Sequence, residues 1–447
     1  MALTGLQIYK LLPQTNCKEC GFPTCLAFAM KLAAKQAELA ACPHVSETSK
    51  LQLEAASQPP VRLITLSSDG RKVESGNEIV LFRHEKTFYH PSGLFVRIKD
   101  TETPEQITAK AKEVDEYKVD YVGIDLHMDG LAVENASGDA GKFAQAVETI
   151  RRVSQLPLIL MAKDVAAFAA ALSKLSGNVP MLYAADASNW QPLAELAKKA
   201  KLPLAIKAEG DLQALASLAD QVKSAGVDDI VLDPGVRDFS KWLTLATQIR
   251  RLAIKKNFRP LGYPIIAFPG EGVASDLEPV MAAQCIAKYG GFVVLDQFTP
   301  ARAYSLLVLR QNLFTDPQKP IQVQPGLYEI NGPKPESPVL VTTNFSITYF
   351  SISNEVEGAG LPAWLLVADA EGMSVLTAWA AGKFDSDRIA KAVKTTNVES
   401  KVNRKRLVLP GAVAVLMGEV EESLAGWQIE VGPREAVDVP SYLKLKP

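Results

Sequence analysis

The middle of the chain, from about residue 93, alternates short apolar stretches with helix-like stretches. Stretches such as PLILMAK and FVVLDQF are too uniformly apolar for a sheet with one wet face. They begin near residues 93, 120, 157, 180, 203, 229, 263 and 292. Eight βα units within roughly 230 residues predict a (β/α)8 barrel. A doubly wound open sheet is the alternative.

Several of these predicted strands end in a carboxylate. They are Asp100, Asp125, Asp186, Glu209, Asp233 and Asp296. Active sites of barrels are built at this end, so the acids are candidates for metal coordination or acid–base chemistry. Aspartates at strand ends also cap the helix or turn that follows. Without an accompanying histidine pair or phosphate loop, capping is the favoured role for most of them.

The composition is that of an ordinary globular protein, with 47% hydrophobic and 22% charged residues. At 447 residues the chain should form several domains. Its 48 basic residues nearly balance 50 acidic ones, which argues against binding to nucleic acid or to an anionic membrane. No apolar run reaches the roughly 18 residues of a transmembrane helix, and the N-terminus lacks the pattern of a signal peptide. We therefore expect a cytoplasmic protein.

Four of the five cysteines lie near the N-terminus, in the pattern C-x2-C-x4-C-x16-C. They are Cys17, Cys20, Cys25 and Cys42. Three thiols on a tight loop and one remote thiol are typical of a cubane iron–sulfur cluster. Structural zinc is an alternative, although it usually uses two close pairs and only His44 lies beside the last cysteine. Unliganded thiols are another. Cys285 has no cysteine neighbour and is predicted to pack in a helix as a small apolar side chain.

Residues 26–41 consist almost entirely of strong helix formers and are followed by Pro43. They predict one helix with Cys42 at its end. Such a helix spans roughly 24 Å, so Cys42 can approach the other thiols only if the loop folds back along it.

The C-terminal third begins with a proline-rich stretch, PGLYEINGPKPESP at 325–338, which predicts a linker and hinge. Beyond it, alternating strands and helices predict a Rossmann-like α/β domain. The stretches 342–346, 371–374 and 409–411 fall at its strand ends, where ligands of parallel sheets bind. Their small and hydroxyl side chains suit a large flat ligand with amide groups, but could equally form ordinary turns. No G-x-G-x-x-G is present, which disfavours a dinucleotide.

These patterns divide the chain into four segments. We expect a cluster domain at 1–57, a linker at 58–92, the barrel at 93–324 and the α/β domain at 325–447.

The stretch DLHMDG at 125–130 fits D-x-H-x-x-G, a pattern of cobalamin-binding modules in which the histidine ligates cobalt. SKL follows at 173–175, but the expected Gly-Gly is absent, and the motif falls on the predicted second barrel strand. His127 is therefore a candidate cobalt ligand whose context favours a chance match.

The whole chain resembles the large (gamma) subunit of the corrinoid iron–sulfur protein. The resemblance is carried by LTGLQIYKLLPQTNCKECGFPTCLAFAMKLA, by the barrel, and by VTTNFS and ADAEGMSVLTAW. It implies a 4Fe–4S cluster on the four N-terminal cysteines. It also implies a base-off corrinoid, without a protein ligand to cobalt, held by the C-terminal domain. The implied contacts are Thr342, Asn344, Ser346, Ala370, Glu371, Gly372, Met373, Ser374, Thr377, Gly411, Gly432 and Pro433.

The implied function is that of a corrinoid-dependent methyltransferase component, a methyl carrier. Cob(I)amide would accept a methyl group from methyltetrahydrofolate on a separate methyltransferase and donate it to acetyl-CoA synthase, while the cluster returns Co(II) to Co(I). The implied partners are a small subunit forming a heterodimer, those two enzymes and a low-potential electron donor. The alternatives are a pterin-dependent barrel methyltransferase and an iron–sulfur electron-transfer adaptor.

Overall fold

The computed structural model forms two compact units. One comprises Met1–Lys118 and His127–Phe314, and the other Val119–Leu126 and Thr315–Pro447. The structure describes residues 5–33, 36–46, 48–50, 53, 59–121, 124–316 and 321–445. No helix among these residues is long and apolar enough to cross a membrane.

The N-terminal part is a small helical module with its own apolar core. Helices α1 (Gly5–Leu11) and α2 (Cys25–Ala33) pack Ile8 and Phe28 into that core. The predicted helix over 26–41 is wrong, because α2 ends at Ala33 and a 3-10 turn forms later at Leu39–Ala41. Packing of Leu39 and Cys42 against the same core as Phe28 overrides the helix propensity of this stretch.

A β-hairpin lies within the stretch that we predicted as a linker. Strands β1 (Ile64–Ser68) and β2 (Arg71–Ser75) are joined by Asp69-Gly70, both with positive φ, the turn chemistry of a two-residue hairpin. Ile64 and Leu66 are fully buried in the core that the barrel strands enclose. This part of 58–92 therefore belongs to the packed unit and is not a linker.

Eight parallel strands close into a barrel, as predicted. The strands that follow the hairpin are β3 (Gly93–Lys99), β4 (Lys118–Tyr121), β5 (Ile124–His127), β6 (Gly130–Glu134), β7 (Leu158–Met161), β8 (Met181–Ala185), β9 (Leu204–Lys207), β10 (Ile230–Asp233), β11 (Ile265–Ala267) and β12 (Gly290–Leu295). The barrel order is β3-β6-β7-β8-β9-β10-β11-β12, and β12 pairs with β3 to close it.

One helix follows each barrel strand. They are α3 (Pro104–Glu116), α4 (Ala140–Arg151), α5 (Val165–Leu172), α6 (Trp190–Ala200), α7 (Leu212–Ser224), α8 (Phe239–Lys255), α9 (Glu278–Ala287) and α10 (Pro300–Phe314). Thr103 and Gln106 form a capping box on α3, and aspartate side chains such as Asp211 cap α4, α5, α7 and α8.

The second barrel strand is not the one that we predicted. The stretch near 120 forms the separate two-stranded sheet β4–β5, and the barrel strand is β6, ten residues later. Lys118 and Asp120 are exposed on β4, whereas four of the five residues of β6 are buried. In the structure, the exposure of KVDY alternates as in a strand with one wet face, unlike that of the mostly buried β6.

The second unit contains an open five-stranded sheet. Its strands are β13 (Gly326–Ile330), β14 (Val339–Thr343), β15 (Ala363–Ala368), β16 (Arg406–Leu409) and β17 (Gln428–Val431). Their order is β13-β15-β14-β16-β17, with β13 antiparallel and the others parallel. Part of the predicted linker at 325–338 belongs to the sheet, because β13 lies within it and pairs with β15 along its whole length.

Apolar cores cover both faces of this sheet. Helices α12 (Val375–Ala380), α13 (Ser386–Thr395) and α14 (Met417–Ser423) pack on one face, and α11 (Ser346–Gly358) and α15 (Val439–Leu445) on the other. The side chains of β14 alternate accordingly, since Val339 and Val341 join the first core and Leu340 the second.

Candidate functional sites

Three of the four N-terminal cysteines pack against the apolar core of the helical module. Cys25 is the first residue of α2 and is buried, and Cys20 and Cys42 pack partly buried against the same apolar core. Cys17 is exposed. All five cysteines of the chain are free thiols, so no disulfide competes for the predicted ligands.

Cys17 is brought near the segment that carries Cys42 by contacts of His44. The ligand atoms of Cys17, Glu19 and His44 lie within 4.8 Å of one another, and His44 Nε2 lies 3.1 Å from a carboxylate oxygen of Glu19. His44 is two residues beyond Cys42. The early loop and the late cysteine segment therefore meet.

The loop before α2 contains three residues with left-handed backbone. Gln14, Asn16 and Lys18 all have a positive φ, at alternate positions. Loops of this kind expose concave sets of backbone N–H groups, which occur at many iron–sulfur sites. A set of thiols with such a loop fits an iron–sulfur cluster in its donor chemistry.

The C-terminal unit has a cavity of about 320 Å³ at the carboxyl ends of its parallel strands. The chain passes from β14 to β15 on one side and reaches β16 on the other, so the strand order reverses between β14 and β16. Ligands of open α/β sheets bind in the crevice at such a switch point. Leu340 and Val408, on these two strands, line the cavity.

Helices α11 and α15 form the sides of the cavity, and its entrance is apolar. Ile347 and Leu376 line it and are 65% and 55% exposed, respectively. Val437, next to the lining residue Ala436, is also exposed. Exposed apolar side chains around a cavity are typical of a binding site for an apolar ligand or a partner surface.

Three of the twelve predicted contacts line this cavity, namely Ser374, Gly432 and Pro433. Nine do not: Thr342, Asn344, Ser346, Ala370, Glu371, Gly372, Met373, Thr377 and Gly411. Sequence reasoning missed the lining residues that lie on helices. They include Ile347, Ser351, Ile352, Val439 and Tyr442. A signal was available in Ile347 and Ile352, apolar residues that follow directly on the predicted strand-end stretch.

Asn344 is a connector between two loops. Its Oδ1 accepts hydrogen bonds from the backbone N–H groups of Ala370 (2.9 Å) and Gly372 (3.0 Å). Its Nδ2 donates to Gln322 and Asp369. Since these bonds use both ends of the carboxamide of a buried residue, Asn344 positions the loop that leads to Ser374 and does not offer its side chain to a ligand.

Gly411 and Gly432 allow two strand-end loops to pack closely against each other. The Gly411 N–H donates to Pro433 O at 2.8 Å, and the Gly432 N–H donates to Leu409 O at 2.8 Å. A Cβ on Gly411 would lie 2.5 Å from Gly432 O, and one on Gly432 would lie 2.8 Å from Val408 Cγ1. The glycines that we predicted for close approach to a ligand are therefore needed for the loops to pack on each other.

A buried polar cluster links β16, β17 and α15 beside the cavity. Arg406 donates through Nε and Nη2 to the Glu430 carboxylate at 3.1 and 3.2 Å, and the Tyr442 hydroxyl donates to Glu430 at 2.6 Å. Burial, together with the hydrogen bond to Glu430, raises the pKa of Tyr442 to about 12. Tyr442 therefore stays neutral and fixed in the cavity wall at physiological pH.

Two buried hydroxyls lie at the end of β14. Thr342 and Thr343 are fully buried, and neither hydroxyl has a hydrogen-bond partner within the described part of the chain. Thr342 shares a sheet face with Leu340, which lines the cavity. Buried hydroxyls without partners are uncommon, and these two lie outside the lining of the cavity.

At the carboxyl end of the barrel, two of the predicted acids join an ion network. Arg97, on β3, lies 3.1 Å from Asp296, 2.5 Å from Glu271 and 3.4 Å from Glu134. Arg237 pairs with Asp233 at 3.0 Å and also with Glu271. Arginines thus neutralise the carboxylates that we considered for catalysis.

The other predicted barrel acids have ordinary roles. Asp100 accepts hydrogen bonds from the backbone and hydroxyl of Ser137, and Asp186 does the same for Ser188, which lowers the pKa of Asp186. Glu209 is exposed. Asp125 lies on β5 and so is not at the end of a barrel strand.

His127 ends strand β5, and its Nδ1 lies 3.0 Å from Met128 O. The stretch DLHMDG therefore runs from β5 to Gly130, the first residue of the second barrel strand, and His127 lies before that strand, which corrects our placement. Cys285 is buried in α9, as predicted, and burial raises the pKa of its thiol to about 12.

Fold and sites together define the class of protein: an α/β protein in which a barrel is combined with a cysteine-rich module and a sheet domain that has a cavity at its switch point. Two family models match. "CO dehydrogenase/acetyl-CoA synthase delta subunit" matches residues 63–443, and "Putative Fe-S cluster" matches residues 12–44.

Named relatives match over nearly the full chain. The chain is 43% identical over 444 residues to the "Corrinoid/iron-sulfur protein large subunit" of Moorella thermoacetica, covering 99% of each. It is 35% identical over 454 residues to the "Acetyl-CoA decarbonylase/synthase complex subunit gamma" of Methanothermobacter thermautotrophicus, again covering 99% of each. The corresponding subunit of Archaeoglobus fulgidus is 35% identical over 460 residues, covering 98% of this chain and 97% of that one. The chain belongs to the family of corrinoid/iron–sulfur protein large subunits.

Proposed function

We propose that the protein is the methyl-carrying subunit of a corrinoid/iron–sulfur protein in the acetyl-CoA pathway. In this proposal the C-terminal unit holds the corrinoid and the four N-terminal cysteines hold a 4Fe–4S cluster. The observation that carries the proposal is the apolar-rimmed cavity at the switch point between β14 and β16, in a chain of this family.

Cys17, Cys20, Cys25 and Cys42 are the residues that would bind the cluster. Support comes from the free thiols, from packing of three of them on one core, and from the left-handed residues of the loop that precedes α2. An iron–sulfur cluster, when bound, supplies single electrons at low potential. The protein's part is to deprotonate and position the thiols and to keep part of the site dry.

The residues of the cavity fit a corrinoid, a large flat molecule with an apolar macrocycle and polar amide groups. Ile347 and Leu376 offer apolar surface at the entrance, and Ser374 offers a hydroxyl. A corrinoid, when bound, supplies a cobalt centre that accepts a methyl group from a methyl-pterin and passes it to acetyl-CoA synthase.

The protein's contribution to that chemistry is position and exclusion of water. Asn344 and the packed glycine loops hold the cavity mouth in one shape, and the apolar rim keeps water from the reacting centre. The sequence from Thr315 onward contains no histidine, so this unit cannot supply an imidazole ligand to cobalt. We propose a base-off corrinoid without a protein ligand.

The partners in this proposal are the small subunit, a methyltetrahydrofolate methyltransferase, acetyl-CoA synthase and an electron donor. The exposed apolar residues around the cavity support docking of protein surfaces there, because such residues rarely surround a site that only meets water.

Electron paramagnetic resonance of the anaerobically purified protein, poised so that cobalt is Co(II), tests the proposal. Spin on Co(II) couples to an axial nitrogen, so a bound imidazole splits each cobalt line. An unsplit signal that is unchanged in His127→Ala supports the proposed site. Splitting that vanishes in the variant would show that His127 binds cobalt. A cluster signal without a cobalt signal would favour the electron-transfer adaptor.

A further inference from the structure

Asn16 and Cys25 are joined by two reciprocal hydrogen bonds across the cysteine loop. The backbone N–H of Cys25 donates to Asn16 Oδ1 at 2.8 Å, and the backbone N–H of Asn16 donates to Cys25 Sγ at 3.4 Å. The two residues are nine positions apart. The contact therefore closes the loop that carries Cys17 and Cys20, and does so on the sulfur of a third cysteine.

The position of Cys25 explains why its N–H needs this acceptor. Cys25 begins the nine-residue helix α2, so its N–H is one of the helix-terminal donors without an intrahelical partner. Thr24 Oγ1 accepts from Ala27 at 3.1 Å and serves another of those donors. Asn16 serves the donor on Cys25 itself, which fixes the backbone from which this thiol projects.

The backbone at Asn16 is left-handed, with φ of 50°. Asparagine is among the few non-glycine residues that tolerate this conformation. Its side chain is also short enough to reach the Cys25 N–H while its own N–H reaches the sulfur. Glycine would accept the same φ but would lose the acceptor and gain freedom.

A hydrogen bond to a ligating sulfur has an electrochemical consequence. The cluster gains negative charge when it is reduced, and an N–H donor on a ligating sulfur stabilises that charge. Hydrogen bonds to the sulfurs are therefore among the features that set the potential of an iron–sulfur cluster.

We infer that Asn16 is a positioning residue for the cluster: it holds Cys25 and aims an N–H at the Cys25 sulfur, and so raises the reduction potential at which the cluster accepts its electron. This inference rests on the proposed cluster. Asn16 itself ligates nothing in this arrangement.

The test compares Asn16→Gly with Gln14→Gly in the full-length chain. Gln14 lies in the same loop, is uncharged, also has a positive φ, and its side chain bonds only to Tyr9 O within the described part of the chain. The readout is a redox titration of the cluster followed by electron paramagnetic resonance at fixed pH. At the potential where half of the wild-type clusters are reduced, we expect only about a quarter of the Asn16→Gly clusters to be reduced. This is a threefold change in the ratio of reduced to oxidised cluster. Gln14→Gly should match the wild type.

A second measurement detects the hydrogen bond itself. In the wild type, a proton that exchanges with D2O should couple to the reduced cluster in electron–nuclear double resonance. Asn16→Asp keeps the acceptor and the left-handed backbone, so it should retain this coupling. Asn16→Gly keeps the backbone N–H but lacks the acceptor that holds it against the sulfur, so its coupling should fall. A wild-type cluster without such a proton, or an Asn16→Gly cluster with wild-type potential and coupling, overturns the inference. A wild-type protein without iron and sulfide would instead overturn the proposed cluster.

Discussion

The backbone N–H of Gly372 donates a 3.0 Å hydrogen bond to Oδ1 of Asn344, and this bond ties the loop after β15 to the end of β14. Gly372 has φ of 73°, and a Cβ there would lie 2.6 Å from the Gln322 side chain. Gly372 is needed for its backbone conformation, and Asn344 is needed for its buried carboxamide. Together they hold the loop that ends at Ser374, in the cavity wall.

Replacing Asn344 with alanine should loosen the cavity. Asn344→Ala leaves the N–H groups of Ala370 and Gly372 without their acceptor, which should cost about 2–3 kcal/mol of stability. Calorimetry should show a lower Tm, and anaerobic purification should yield less cobalt per chain.

Asn331→Ala is the matched control for that prediction. The Asn331 side chain donates to the carbonyls of Val356, Glu357 and Leu361, and Asn331 follows the end of β13 that pairs with the start of β15. The variant should lower Tm but keep its cobalt. Equal loss of cobalt in both variants would show that Asn344 has no special relation to the cavity.

The cluster assignment predicts a selective loss of iron. Alanine at Cys17, Cys20, Cys25 or Cys42 should each lower iron and acid-labile sulfide, because a cubane cluster needs its thiolates. Cys285→Ala should keep both at the wild-type amount. Bound zinc with no sulfide in the wild type would favour the structural-zinc alternative.

Cys285 should resist alkylation in the native protein. Burial raises the pKa of its thiol to about 12, whereas an exposed cysteine has a pKa of about 8.5. After iron removal, iodoacetamide at about pH 8 should label exposed Cys17 and spare Cys285, which peptide mass spectrometry resolves. Unfolding in denaturant before labelling is the control, and equal labelling of both residues in the native protein would contradict the burial.

The raised pKa of the Cys285 thiol also makes the stability of the protein depend on pH. Because the folded pKa lies above the unfolded one, the contribution of this thiol is complete below about pH 8.5 and is lost as pH rises towards 12. Cys285→Ala should therefore lose less stability than the wild type over that interval, as followed by Tm against pH.

The barrel network predicts a structural role for Arg97. Arg97→Ala leaves Glu134, Glu271 and Asp296 facing one another with one cation fewer, which should cost about 3–5 kcal/mol. Arg152→Ala removes an exposed pair with Glu148 on α4 and should cost under about 1 kcal/mol. Thermal unfolding compares the two, and equal effects would show that the network adds nothing to the barrel.

The positions of seven barrel strands could be predicted from their apolar runs, because a strand buried on both faces needs such a run wherever it lies. The second strand could not. DYVGIDLH and GLAVE are both short and apolar enough, and only the paired arrangement of β4 with β5 reveals which one leaves the barrel.

Contacts between distant parts of the chain explain the other errors. PGLYEINGPKPESP resembles a linker until β15 is present to pair with β13. Part of the cavity wall is formed by α11 and α15, so residues such as Ser351 and Tyr442 are recognised only when these helices are packed. The cysteines needed no such context, because their spacing alone predicts metal chemistry.

The central claim is that the cavity between β14 and β16 holds the corrinoid. Ser351→Trp fills that cavity from α11, whereas Asn354→Trp adds the same bulk on the same helix outside the lining. The decisive measurement is cobalt and iron per chain in both variants after anaerobic purification. We predict that Ser351→Trp loses most of its cobalt and keeps its iron, while Asn354→Trp keeps both at the wild-type amount. Wild-type cobalt in Ser351→Trp would contradict the claim and place the corrinoid elsewhere.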